Sequence, residues 1–385
     1  MLSFIKNKLK IISTGSPEMM PTKEKKQDSQ PNSFNSEKLS EELANGLRES
    51  ARQVEVVENF EEAVEKIKVE AEQRIEADFG ANGKKETLPF HGVEHSRMVA
   101  EKSVESLKTI QDIDPNIVSD KDIALVKLEA WWHDVVQDKK NKDGKFRERS
   151  RGENERKSAE ALYEEIQHYK DKDGDLIFTD SKESIIADIT TTEPTGKPGF
   201  EELPDGSVGL KMDQPNLKPE SSLRGFVIAQ ADLRNEVSNG SPEAFRKGGD
   251  AEFRELNENI STQIKQGVDK ITQEDMTKIA TSILGWKKVQ IGFAKWQKEL
   301  FLKNLDQNKT INDSSKAEEI KKALKDLYGV KEDSNGSFDK NIKASQQRYD
   351  DLEKGYSAEK LSQINRDDFV RLLEETGYSK KDMGL

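Results

Sequence analysis

The sequence predicts an all-α protein, a helical bundle with helical flanks on both sides. Three observations carry that expectation. Apolar residues recur at helical spacing through most segments. No run alternates apolar and polar residues with the period of a strand. The 11 prolines and 24 glycines crowd into the middle of the chain, between residues 80 and 250, so the flanks read as helix or tail. With 385 residues, of which 33% are hydrophobic and 35% charged, the chain is long enough for one large or two ordinary domains but lean in core material. One real core is expected, with solvated helices around it. No internal repeat is present.

Taken in order, residues 1–36 read as a disordered tail, because 13–36 are rich in Ser, Pro, Lys, Gln and Asn. Its first residues, "MLSFIKNKLKII", are too interrupted by lysines for a secretory signal or a membrane span. Residues 37–80 form a helical flank, carrying Leu39, Leu43, Leu47, Val54, Val57, Phe60, Val64 and Ile67 at helical intervals. A core unit follows at 81–305. Within it, 96–107 reads as helix, and Ser119 or Asp120 caps the next one. That next helix, "IALVKLEAWWHDVV", is apolar on nearly every face and belongs at the centre of the domain. "QDKKNKDGKFRERS" is a polar loop. "SRGE", Ser150 to Glu153, matches a capping box that opens "ENERKSAEALYEEI". "SKESIIADITTT" is a further helix whose threonines either end it or face a site. The segment 193–222 is a long loop, of the kind that serves as a lid or insertion. "LRGFVIAQADLRNEV" is a second largely apolar helix, and 243–303 read as two long helices. Residues 306–385 form a charged helical C-terminal region that ends in a short unit around "RDDFVRLLEETGYS".

Composition excludes several functions. A net charge of −12 argues against general nucleic-acid binding, which needs a basic face. It leaves small phosphorylated substrates open. No window of about 18 apolar residues exists, so no transmembrane segment is expected. Without cysteine there is no disulfide and no thiolate chemistry, and a metal site must come from His, Asp and Glu. Together these fit a cytoplasmic protein.

The chain has only four histidines, and two fall in "PFHGVEHSRM" as His91 and His95. At a spacing of four they would share one helical face, which suits either a pair of metal ligands or a surface pair at a helix start. His133 and Asp134 are adjacent in "EAWWHDVV". A carboxylate buried among such apolar neighbours is unstable by several kcal/mol unless a cation pairs with it. The nearest basic residues in sequence are Lys127 and Lys139, so a metal is the natural partner unless the helix end emerges to water. Asp232 lies 98 residues later, in the second apolar helix. "DKDGD" near Asp171 lacks the glutamate of a calcium loop and reads as a turn. His168 reads as an exposed residue near a helix end. Trp131 and Trp132 read as core and pocket wall, and Trp286 and Trp296 as packing groups.

One His, an adjacent His-Asp pair and a distant Asp, in this order in an all-α chain, resemble the HD superfamily of metal-dependent phosphohydrolases. "FHGVEH" looks like the aromatic-His-x-x-x-His stretch of branches that include the cyclic-nucleotide phosphodiesterases. "AWWHDVVQD" followed by "NERKSA" is similar to a bacterial branch of predicted HD phosphohydrolases. The resemblance spans roughly residues 85–300. It implies that His95, His133, Asp134 and Asp232 ligate a divalent metal (Mn, Mg, Co, Zn or Fe). It implies that His91 stands outside the first coordination shell as a phosphate contact or general acid, and that Glu155 lines the site. The scarcity of further histidines argues for one tightly held ion, with any second ion relying on Asp134, Glu155 and water.

A phosphate also needs cations to hold it. The candidates are Arg97, beyond His95; Arg147, Arg149 and Arg151 in "RERSR"; and Arg234, just past Asp232. Lys197, Lys211 and Lys218 stand in the long loop, where they could close over substrate. The expected function is hydrolysis of a small phosphate ester, probable nucleotides first, then cyclic or oligonucleotide diesters. The competing reading is a catalytically silent ligand-binding or regulatory protein, its helical flanks engaging a protein partner.

Overall fold

The computed structural model describes residues 54–80, 83, 87–142, 146–150, 152–194, 199–203, 206–239, 241–331 and 335–385. The expected tail at 1–36 and the first part of the helical flank lie outside the described residues. So do the side chains of 139–149.

The described chain is all-α, with helices α1 (Phe60–Phe79), α2 (Val93–Ile113), α3 (Asp120–Trp132), α4 (Glu153–Ile166), α5 (Lys182–Ile189), α6 (Leu223–Asn239) and α7 (Pro242–Leu256). They are followed by α8 (Glu258–Lys265), α9 (Gln273–Gln307), α10 (Lys309–Asp313), α11 (Ala317–Leu327), α12 (Ser337–Gly355), α13 (Ala358–Ser362) and α14 (Arg366–Glu375). Strands occur only as three short pairs: β1 (Glu55–Val56) with β4 (Tyr169–Lys170), β2 (Lys139–Lys142) with β3 (Phe146–Arg149), and β5 (Gly199–Glu202) with β6 (Val208–Lys211).

α1 starts where the Asn59 side chain accepts from the Glu62 N–H at 2.9 Å. It buries Ala63, Ile67, Ala71, Ile75 and Phe79, one stripe at four-residue intervals. α3 opens on a capping box between Ser119 and Asp122. It buries Leu125, Val126, Leu128, Ala130, Trp131 and Trp132 on all sides, and α1, α2, α4, α5 and α6 pack around it. Trp132 is fully enclosed, and its indole N–H donates to the Ile67 carbonyl at 3.2 Å. Both tryptophans of α3 are therefore core, as expected.

α3 stops earlier than its apolar run. The sequence reads as helix through Val136, but the helix ends at Trp132 and His133 is its C-cap. Two side chains take the backbone groups that a continuing helix would use. His133 Nδ1 takes the Ala130 carbonyl at 2.6 Å, and the Val136 N–H goes to Ser158 Oγ at 3.0 Å. The polar loop expected after it contains the antiparallel β2–β3 hairpin, with Lys139 opposite Arg149. Both strands are mostly charged, with Asn141 and Phe146 the exceptions, so no period of two marked them. The capping box expected at Ser150–Glu153 does not form: Ser150 Oγ has no partner among the described residues, and only the return half of a box is present, two residues later. Gly152, at φ +73°, is the N-cap of α4, and Glu155 accepts its N–H at 2.6 Å.

α2 begins at Val93, three residues before its sequence-based start, and continues to Ile113. The long loop at 193–222 carries the β5–β6 hairpin, which packs on α9. A Cβ on Gly292 of α9 would come within 3.1 Å of the Val208 carbonyl, so this close approach requires glycine. The two long helices read in 243–303 are three: α7 and α8, joined by a short 3₁₀ turn to a 35-residue α9. The "DKDGD" turn is confirmed, Asp171 Oδ1 accepting the N–H groups of Asp173 and Asp175.

Two hydrophobic cores result. The larger gathers α1 through α6 with the C-terminal half of α9, and it draws in Ile320, Leu324, Tyr328 and Phe338. The smaller joins Phe253, α8 and the N-terminal half of α9 to Leu352, Phe369, Leu372 and Leu373. Residues beyond 305 thus enter both cores, and the charged C-terminal region is packed through its few apolar positions.

Candidate metal centre

Three elements of the larger core bring four ligand-type side chains together. His95 comes from the first turn of α2, His133 and Asp134 from the end of α3, and Asp232 from the middle of α6. One ligand atom from each lies within 4.8 Å of all the others. The two imidazoles and two carboxylates alternate. His95 Nε2 is 3.2 Å from Asp232 Oδ1 and 3.6 Å from Asp134 Oδ2. His133 Nε2 is 3.2 Å from Asp134 Oδ2 and 3.5 Å from Asp232 Oδ1. His95, His133 and Asp134 are buried. An ion at the centre of such a ring would stand about 2–2.5 Å from each atom, the range of nitrogen and oxygen ligation.

The neighbours of this ring orient it as the neighbours of metal ligands do. Because His133 Nδ1–H donates to the Ala130 carbonyl, Nε2 is the nitrogen that faces the carboxylates. Gln137 Nε2 donates to Asp134 Oδ1 at 2.6 Å, which leaves Oδ2 toward the imidazoles. Burial opposes the charged form of His133, but Asp134 and Asp232 outweigh it and hold its pKa well above the ordinary histidine value. Burial would raise the Asp232 carboxyl. Its hydrogen bonds to His133 and His95 prevail and hold it well below the usual range. In the absence of an ion, a proton on His133 compensates the carboxylates. A divalent ion would replace that proton.

His91 is not on the helical face of His95. It lies ahead of the N-cap Gly92, in the lead-in to α2. The bend still places its ring 5.5 Å from the His95 ring, with Phe90 packed on both at 4.8 Å. His91 Nε2 is 3.9 Å from Asp134 Oδ2, at the edge of the ring rather than within it. Its Nδ1 contacts Glu255 Oε1 at 2.5 Å, and the other oxygen of Glu255 accepts the Phe90 and His91 N–H groups at 3.2 Å each. Glu255 was not anticipated. It is one of many glutamates on an amphipathic helix, 164 residues from His91, and nothing local marks it.

The other expected contacts have different places. Glu155 spends its carboxylate on the N-terminus of α4 and is not one of the four clustered residues. Arg234 is fully buried and ties α6 to its neighbours, donating to the Gln297 carbonyl at 3.1 Å and the Ala229 carbonyl at 3.2 Å. Burial pulls its pKa down to about 10, and it is a packing group rather than a substrate contact. Arg97 is paired along its own helix with Glu94 and Glu101. It does border a cleft of about 970 Å³ that opens beside His95 and includes Phe90, Arg246 and Arg254. Arg147 and Arg149 lie in β3 with side chains outside the described set, and Arg151 and Lys197 are outside the described residues. Lys211 pairs with Glu201 at 2.8 Å. The hydroxyls of Thr190, Thr191 and Thr192 all donate to backbone carbonyls and end α5. His168 is half-buried just after α4, its carbonyl accepting from Glu55 of β1.

Fold and site together define an all-α protein with a buried two-histidine, two-aspartate centre suited to a metal ion. No family model, curated protein or solved structure matches the chain. Among the described residues, no helix is long and apolar enough to cross a membrane.

Proposed function

We propose that the chain is a metal-dependent phosphohydrolase of the HD type, acting on a small phosphate ester such as a nucleotide. The observation that carries this reading is the convergence of His95, His133, Asp134 and Asp232 within 4.8 Å, on three different elements of the core. When bound there, a divalent ion supplies an acidified water and offsets charge on phosphoryl oxygens.

The chain's own residues provide the rest. The Ala130 carbonyl and Gln137 hold His133 and Asp134 in their ligating orientations. Glu255 holds His91 by Nδ1 and leaves Nε2 toward the ring. A proton carried at Nε2 is then available to the departing oxygen of an ester bound in the adjoining cleft. The second reading is a cyclic or oligonucleotide diester, whose alkoxide leaving group would take the same proton. The experiment is to purify the protein, count bound metal, and assay nucleotides and phosphodiesters with Mn, Mg, Co, Zn and Fe. Absence of bound metal, with Asp134→Ala as stable as the parent, would sink the proposal. Metal without turnover would favour a ligand-binding or regulatory role instead.

A further inference from the structure

A second cavity, of about 440 Å³, shares no residue with the metal ring. It lies where α7, α9 and α12 meet, and its walls include Arg246, Lys287, Gln290, Arg348 and Tyr349. Lys287 and Gln290 stand three residues apart on α9, so one face of that helix presents both. They are only 6% and 8% exposed. Few lysines and glutamines are buried to this degree.

Three cationic side chains line this place. Gln290 Nε2 is buried and has no hydrogen-bond partner among the described residues. Its amide lies against Gly249 of α7, where a Cβ would displace it. Lys287 pairs with Asp250, the one deeply buried carboxylate of the group. Arg246 shares the same carboxylate at 3.3 Å and also donates to the Glu375 carbonyl. Arg348 donates to that carbonyl at 3.2 Å. Glu243, the other acid near Arg246, is 64% exposed. Burial, then the Arg348 and Arg246 guanidiniums, pull the Lys287 pKa below the ordinary lysine value. Burial and Arg246 likewise lower that of Arg348. Three cations thus line the cavity beside one acid, Glu243, while Asp250 and the Glu375 carboxylate, 3.7 Å from Arg348, pair with them without lining it.

We propose that this cavity binds a compact phosphorylated anion, whose phosphoryl oxygens accept from Arg246, Lys287, Arg348 and Gln290. Guanidinium groups match phosphoryl oxygens two at a time, and the buried amide offers a further donor. The cavity has room for more than a lone phosphate, which points to a pyrophosphate or sugar-phosphate class of ligand. The site is independent of the phosphohydrolase reading. It is nevertheless connected to the ring in one respect, since α7 carries Arg246 and, nine residues on, the Glu255 that holds His91.

The test uses the full chain in EDTA, so that the metal ring is not engaged, with inorganic pyrophosphate titrated calorimetrically. Saturable one-to-one binding is expected. Arg348→Gln and Gln290→Leu should each weaken it by about tenfold or more, while Asp134→Ala leaves it unchanged. Arg348 is 28% exposed, so its variant should fold, and circular dichroism checks that it has. No saturable binding at millimolar pyrophosphate would overturn the proposal. So would equal affinity in folded Arg348→Gln, or loss of binding in Asp134→Ala alone.

Discussion

α3 and α6 meet twice, and each meeting buries several carboxylates. At one, Arg224 at the start of α6 stands among Asp188 at 2.9 Å, Asp122 at 3.2 Å, and Asp180 and Glu129 at 3.3 Å. At the other, His133, Asp134, Asp232 and the nearby His95 form the ring. The first cluster has its cation built in. A guanidinium does not give up its proton, so the charge there is permanent and the cluster is structural. The second is compensated by His133, whose imidazole could exchange its proton for a metal ion. The same two helices thus hold one closed charge cluster and one exchangeable one, and only the exchangeable one is suited to chemistry. The closed cluster is itself strained in charge. Burial, then Asp188, pushes the Glu129 carboxyl well above the usual range despite Arg224.

That contrast breaks most directly at the ligands. Asp134→Ala or His133→Ala should lower metal affinity by more than the roughly 10–100-fold typical of losing a residue that merely orients a ligand. Metal content after gel filtration measures it, and turnover should vanish with the metal. Arg224→Met should act on stability instead. It leaves Glu129 and Asp188 buried without their cation, a loss of about 3–5 kcal/mol by urea unfolding, while the folded fraction still binds metal. If Arg224→Met lost metal but kept its stability, the division between the two clusters would fail.

Smaller effects sharpen the division within the ring. His91→Ala should retain metal and lose about 10²–10⁴ in turnover, the usual contribution of a general acid. Glu255→Gln should keep metal and reduce turnover less, by about 10–100-fold. For the metal-free protein, the sign of the pH dependence follows from the two shifts. The raised pKa of His133 stabilises the fold at low pH, and that contribution is lost as pH rises through its folded value. The depressed pKa of Asp232 stabilises above the unfolded carboxylate range and is lost as pH falls through its folded value. Melting temperature in EDTA should therefore peak between these limits. Added metal should release protons and flatten the alkaline side. Arg97→Ala should do least, under about 1 kcal/mol, because its partners Glu94 and Glu101 are exposed on the same helix.

The sequence by itself determined the helical class, the buried centre at α3 and α6, and the four ring residues. The helical class and the buried helices rest on local signals, apolar residues at helical spacing with scarce polar groups among them, whereas the set of four came from the resemblance of those residues, in their order, to the HD phosphohydrolases. Local signals could not reveal Glu255 or Arg224, whose partners are remote in sequence and whose residue types are common. They also misplaced Arg234, which looked available because it follows Asp232, whereas α9 covers it. The end of α3 shows why. Apolar content says that a segment is buried, but which backbone carbonyl His133 takes, and where Ser158 meets Val136, depend on helices that arrive from elsewhere in the chain. The resemblance set His91 apart from the four, but tertiary packing decided where it stands, because a turn before α2, pinned by Glu255, sets its direction.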